Sequence, residues 1–243
     1  METKRLNKAI SETGFCSRRE ADRMIEAGKV KVNGTLAGLG VQVTRTDKIE
    51  VEGKLITKEV EDIYLAFNKP VGIICTTDTS IRDNIIDFIK FPERIFPIGR
   101  LDKPSEGLIF LTNDGDIVNK VLRSGNNHEK EYIVSVNRKV TQSFVRQMSE
   151  GIPILDTVTK KCKVERVGDY TFRIILTQGL NRQIRRMCSY LGYEVTRLQR
   201  VRIMNIKLDD LEVGEYRYFT PGETEEINRL VANSDKTMDA SFD

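Results

Sequence analysis

The chain has 243 residues, a formal net charge of +3 at pH 7, and 39% hydrophobic against 31% charged residues, the balance of a soluble globular protein. No stretch approaches the ~18–20 apolar residues needed to span a bilayer, and Met1-Glu2-Thr3-Lys4-Arg5 leads into no apolar signal region, which points to the cytoplasm. Four cysteines far apart (Cys16, Cys75, Cys162, Cys188) and a single histidine, His128, argue against a disulfide scaffold, a metal site, and Ser-His or Cys-His catalysis.

Taken in order, Leu6, Ala9 and Ile10 make the apolar face of a short helix ending at Gly14. Ser17 followed by Glu20 is a capping box, and Ala21, Met24 and Ile25 carry a second helix to Gly28. Val30-Lys31-Val32-Asn33-Gly34 alternates into an Asn-Gly hairpin turn, and residues 48–51 supply another strand. Residues 1–53 thus read as one small module. Its basic side chains (Arg18, Arg19, Lys29, Lys31) mix with Glu20, Asp22 and Glu26, so a solvated face and a nucleic-acid surface both fit. Residues 54–61 show no clear period and read as a linker into a domain covering 62–232.

That domain opens with an apolar strand over 63–67 running into Asn68-Lys69-Pro70-Val71-Gly72, where Pro70 cannot donate to a ladder. A short helix over 83–90 follows. A polar loop bounded by Gly99 and Gly107 then precedes the apolar strand 108–111. Asp102 lies in that loop beside Arg100 and Lys103, two cations that hold a carboxylate ionised, and loops over a sheet carry catalytic groups. A turn-forming Asp with solvated neighbours fits the same residues.

Further on, Ile117, Val118, Val121 and Leu122 give a helix face ending near Gly125, and Tyr132 starts the alternating strand 133–136. Residues 141–150 form an amphipathic helix, and 160–164 pairs with 172–176. Asn181 is the expected N-cap of a helix with Ile184, Met187, Cys188 and Leu191 on one face. Strand and loop occupy 194–206, a last helix 221–230, and a frayed tail 233–243. From Arg173 to Arg202 there are seven arginines against one acid, Glu194, an excess that suits phosphate recognition.

The run Gly99-Arg100-Leu101-Asp102, a small hydroxyl residue at Ser105, Gly107, an apolar strand and Thr112-Asn113-Asp114-Gly115 resembles the central motif of pseudouridine synthases of the RsuA family. Asn68-Lys69-Pro70-x-Gly72, Lys130-Glu131-Tyr132 and Asn181-Arg182-Gln183-Ile184-Arg185-Arg186-Met187 resemble its other motifs, and residues 178–187 together with 125–132 resemble a large-subunit enzyme of that family. The module 1–53 resembles the S4 RNA-binding domain.

The resemblance implies an α+β fold, with the S4 domain followed by a catalytic domain built on a mixed, largely antiparallel sheet. It implies isomerisation of uridine to pseudouridine in RNA, foremost 23S ribosomal RNA and with transfer RNA as a second candidate, without a cofactor or metal. Asp102 becomes the catalytic residue, Tyr132 the platform for a flipped-out base, Arg185 the partner of Asp102 and Ile184 a pocket wall. Arg18, Arg19, Lys29, Lys31, Lys69, Arg100, Arg182 and Arg186 become RNA contacts. The residues leave open attack at the ribose C1′, removal of the C2′ proton, or addition at uracil C6. A non-catalytic RNA binder that kept the fold is the alternative. With no coiled coil and no long exposed apolar stripe, a monomer is expected.

Overall fold

The computed structural model describes residues 3–57, 61–122 and 127–232. The expected helix end at Gly125 and the tail 233–243 lie outside the described residues. The chain divides into two compact units. One is Met1–Asp62 with Pro92–Arg94 and Asn113–Gly115; the other is Ile63–Phe91, Ile95–Thr112 and Asp116–Asp243.

In the first unit, β1 (Lys4–Arg5) leads into α1 (Leu6–Glu12) and α2 (Arg18–Glu26). Then come β2 (Val30–Val32), β3 (Thr35–Leu36), β4 (Gln42–Val43), β5 (Ile49–Val51) and β6 (Lys54–Ile56). Ser17 Oγ accepts from the Glu20 amide at 3.1 Å, which caps α2. Asn33 (φ 51°) and Gly34 (φ 83°) are both left-handed, as a two-residue hairpin turn between right-twisted strands requires. Strands run in the order β3-β2-β5-β6, and Val30 and Val51 pack with Leu6, Ile10, Ala21 and Ile25 into one core. The reading of 54–61 as linker is corrected at its start. Residues 54–56 pair with β5, because Asn33-Gly34 is followed by a second hairpin, turned at Glu52 and Gly53.

The second unit begins with β7 (Tyr64–Lys69), α3 (Ile85–Ile89), β8 (Phe96–Ile98) and β9 (Glu106–Thr112). It continues with α4 (Gly115–Leu122), β10 (Lys130–Val136), α5 (Gln142–Glu150), β11 (Pro153–Ile154), β12 (Thr157–Val158), β13 (Lys163–Gly168) and β14 (Thr171–Leu176). It ends with α6 (Gln183–Tyr190), β15 (Val195–Ile203), β16 (Ile206–Lys207), β17 (Tyr216–Tyr218) and α7 (Pro221–Val231). The sheet order is β13-β14-β10-β15-β9-β7-β17, with β16 added to β15 and β8 to β9. Every pairing is antiparallel except β15 with β9, so the sheet is mixed and largely antiparallel, as expected.

Strands buried on both faces read as continuous apolar runs, and β7 and β9 do so. Leu65, Phe67, Ile109 and Leu111 pack on one face with Ile85 of α3. Ala66, Leu108 and Phe110 pack on the other with Ile117 of α4 and Ile227 of α7. A third cluster joins Val134, Phe172 and Ile174 to Phe144 and Met148 of α5 and to Ile184 and Met187 of α6.

The parallel contact between β15 and β9 spans two residue pairs, Gln199 with Glu106 and Arg200 with Gly107. Gly107 has φ 102°, and a Cβ there would stand 2.3 Å from the Arg200 carbonyl oxygen and 2.7 Å from its nitrogen. Only glycine fits both the conformation and the gap. Gly107→Ala is therefore expected to lower unfolding free energy by about 3 kcal/mol or more, read from the urea midpoint. Gly28→Ala, at φ 68° with open space around the position, is expected to cost only about 1 kcal/mol in the same assay.

Candidate active site

Register across the sheet sets one row of residues side by side. Lys69 pairs with Gly107, Gly107 with Arg200, Arg200 with Tyr132, and Tyr132 with Ile174. Paired residues share a face, so this row brings Tyr132, from a distant part of the chain, into line with the strand that follows the Asp102 loop.

The loop itself is held from below at several points. Leu101 is buried among Leu65, Phe67 and Ile109, and its amide donates to Cys75 Sγ at 3.4 Å. The Ser105 amide donates to Asp102 O at 2.9 Å, and the Gly72 amide to Lys103 O at 2.8 Å. Gly72 is in turn set by Lys69, whose ammonium donates to Pro70 O and Ile73 O, both at 2.8 Å.

Lys69 was expected to meet an RNA phosphate, and that expectation is corrected. The residue is fully buried, and its charge is spent bracing the turn that grips the Asp102 loop. Burial pushes its ammonium below the usual lysine range, with Cys75, Asp102 and Glu106 opposing.

Asp102 stands half exposed above this foundation, and among the described residues no donor reaches its carboxylate within hydrogen-bond distance. The cation nearest it is Arg182, with Nε 4.0 Å from Oδ2. Arg185 is close enough to feel the Asp102 charge, yet its fork is committed elsewhere. Nη2 donates to Pro104 O at 3.0 Å and to Ser105 Oγ at 3.1 Å, and Nη1 to Val195 O at 3.4 Å. Burial lowers the Arg185 pKa from its ordinary value, and the nearby Arg182 adds to the effect.

Ile184 is buried in the same cluster that Tyr132 packs against, while Arg100 and Arg186 are exposed. Asn181 is not the N-cap of α6. That place falls to Arg182 in a left-handed conformation, and Asn181 instead accepts from Arg186 through both its backbone and side-chain oxygens.

Two family models match the chain, one described as RNA pseudouridylate synthase over residues 63–190 and one as S4 domain over residues 4–49. The chain is 58% identical over 232 residues to the dual-specificity RNA pseudouridine synthase RluF of Salmonella typhi, covering 95% of this chain and 80% of that protein. It is 36% identical to the ribosomal large subunit pseudouridine synthase B of Bacillus subtilis, over 93% and 96% of the two chains. A crystal structure of a pseudouridylate synthase superposes with a TM-score of 0.67 at 33% identity, over 93% of this chain and 99% of that one.

This chain belongs to the RNA pseudouridine synthases. Uridine in RNA is its substrate and pseudouridine its product.

The arginine excess of residues 173–202 looks different in a pseudouridine synthase with its sheet assembled. Arg173 pairs with Glu131 and Glu165, Arg202 with Glu129 and Glu131, and Arg197 with Glu106 at 2.5 Å. Arg200 is buried, and its Nε donates to Leu108 O at 2.6 Å. With Arg185 already committed to Pro104 and Ser105, five of the seven are thus spoken for inside the enzyme, by carboxylates, carbonyls and a hydroxyl distant in sequence or on an adjoining strand. In the S4 unit Arg18, Arg19 and Lys31 are exposed, while Lys29 holds Glu52 at 2.7 Å.

Cys188 and Cys162 are pushed by burial up to about 12 and about 11, so both stay inert thiols. Among the described residues no group of three or more His, Cys, Asp or Glu could hold a metal ion.

Sequence reasoning missed Lys130, a buried cation at the head of the Tyr132 strand. Its position in a strand with alternating burial was the available signal. Burial first, and then Arg200, lower its pKa to about 8. The folded state therefore holds this proton less tightly than the unfolded chain, whose lysine titrates near ~10.4. Between about pH 8 and 10 the unfolded state binds more protons, so this group raises stability as pH rises through that window. Lys130→Met should abolish the effect. Urea midpoints of the two proteins, compared from pH 7 to 10, are expected to show wild type gaining on the variant.

Proposed function

We propose that Asp102 is the carboxylate that carries out the isomerisation, with Tyr132 stacking on the flipped-out uracil and Ile184 walling its pocket. The observation that carries this is the presentation of Asp102. Its loop is anchored through Leu101, Lys103 and Ser105, while the carboxylate itself is half exposed and accepts no hydrogen bond among the described residues. A group held that way is preorganised without being neutralised.

The reaction breaks N1–C1′ and makes C5–C1′, so the C5 proton leaves and N1 gains one, with no net redox change. One carboxylate suffices for a route through C1′, C2′ or C6, which agrees with a one-histidine enzyme. Arg185 serves Asp102 by fixing Pro104 and Ser105 beside it. An aromatic face under an extruded base contributes on the order of 1–3 kcal/mol.

Arg100, Arg182 and Arg186 meet RNA phosphates near the site, and Arg18, Arg19, Lys29 and Lys31 do so from an S4 domain at 1–53. The substrate is a stem-loop of 23S ribosomal RNA, and the dual specificity in the name of the relatives at 57–58% identity supports a second substrate among transfer RNAs. The enzyme acts as a monomer in the cytoplasm and needs no cofactor. Among the described residues no helix is long and apolar enough to cross a membrane.

The test is conversion of large-subunit RNA and of transfer RNA, mapped by carbodiimide and reverse transcription. Asp102→Asn should cut conversion by roughly a thousandfold or more while RNA affinity stays within about twofold. Tyr132→Ala should lower it by roughly ten- to a hundredfold. Tight RNA binding with no conversion by wild type on either substrate would favour a non-catalytic binder.

A further inference from the structure

Helices α2, α3, α5 and α7 each begin on an extended Ser, Asn or Thr whose side chain accepts from the first turn. Helix α6 begins differently. Its N-cap is Arg182 at φ 49°, ψ 35°, with no side-chain cap. That left-handed conformation favours glycine or asparagine and is strained for arginine, and such strain collects at functional sites.

What the strained backbone accomplishes is visible in the guanidinium. Arg182 Nε lies 4.0 Å from Asp102 Oδ2, while the side chain stays 54% exposed. Its neighbours are occupied: Arg185 with Pro104 and Ser105, and Arg186 with Asn181. The Arg182 side chain makes no hydrogen bond among the described residues, so its planar fork can take a phosphate on one edge while the other edge faces the carboxylate. At 4.0 Å it does not hydrogen-bond Asp102 and so leaves the oxygens free to react.

We infer that Arg182 is a positioning residue of the isomerisation, a guanidinium held by strained backbone between Asp102 and the phosphate of the reacting nucleotide. Docking of that phosphate then fixes the distance from sugar to carboxylate. This rests on Asp102 being the reacting group. It goes further than a phosphate contact, because the same side chain must act on the chemical step and not on affinity alone.

The experiment uses the full-length protein and a ribosomal RNA stem-loop under single-turnover conditions, with Arg182→Ala, Arg182→Gly and Arg182→Lys. Arg182→Ala should lower the saturating rate roughly ten- to a hundredfold, since small misplacements of reacting groups have effects of that size. Its log–log salt slope for binding should shrink by about 0.7–1, the contribution of one phosphate contact. Arg182→Lys should recover part of the rate.

Arg182→Gly should be as slow as Arg182→Ala yet melt about 2 °C higher, because glycine relieves the left-handed strain. The proposal is overturned if Arg182→Ala keeps the saturating rate within about threefold, whether or not its KM rises. It is also overturned if the glycine variant is no more stable than the alanine one. An active Asp102→Asn would instead sink the underlying assignment. An inactive Asp102→Asn beside a normal Arg182→Ala sinks the role of Arg182 alone.

Discussion

The catalytic unit depends on one short parallel seam. Strands β10, β13, β14 and β15 form one half of the sheet and β7, β9 and β17 the other, and two residue pairs join them. So short a ladder is weak by itself. It is reinforced by Arg200 donating to Leu108 O, by the Arg197–Glu106 ion pair, and by the near-contact of backbones that Gly107 permits. The proposed active site lies over this seam. Asp102 belongs to the loop entering β9, whereas Tyr132, Ile184, Arg182 and Arg185 come from the other half. Arg185 crosses the seam again above the sheet by holding Pro104 and Ser105. Whatever separates the halves would pull Asp102 away from Tyr132 and Arg185.

Much of the polar cost in the fold is concentrated beside that seam. Lys69, Lys130 and Arg200 are buried cations with no ion pair among the described residues, and Arg200 Nη2 and Arg185 Nε are buried without partners. Buried charge normally destabilises unless it is compensated. Here carbonyl oxygens of Pro70, Ile73, His128 and Leu108 supply partial compensation. The Asp102 charge offsets part of the rest at Lys69 and Arg185, and on the proposed role of Asp102 the remaining cost is stability given up for function.

The elements with strong local signals were legible in the sequence. The Asn33-Gly34 hairpin, the Ser17 cap and the apolar run of β9 follow from turn chemistry, capping and two-sided burial, and the structure has each of them. The edge strand β17 was not legible. Tyr216, Arg217 and Tyr218 are half to largely exposed and pair only with β7, so no apolar alternation marks them. The left-handed Arg182 was likewise hidden, because Asn181 beside it is the better cap by composition and only tertiary packing shifts the start of α6 by one residue.

Charge was the property least readable from local sequence. A window of residues 173–202 holds seven arginines and one acid, yet Glu106, Glu129, Glu131 and Glu165 arrive on β9, on β10 and just before it, and on β13 to pair with three of them. A ladder of alternating charge, Glu129, Arg202, Glu131, Arg173 and Glu165, runs across four strands and fixes their order as cross-strand pairs do. The same logic applies in reverse at Lys69, where a lysine in the Asn68-Lys69-Pro70 turn reads as a phosphate ligand but ends as an internal brace. An RNA phosphate is met by cations that stay exposed once the sheet has closed. Arg100, Arg182 and Arg186 are three of these on the catalytic unit, and of the three only Arg182 has Asp102 within 4.0 Å.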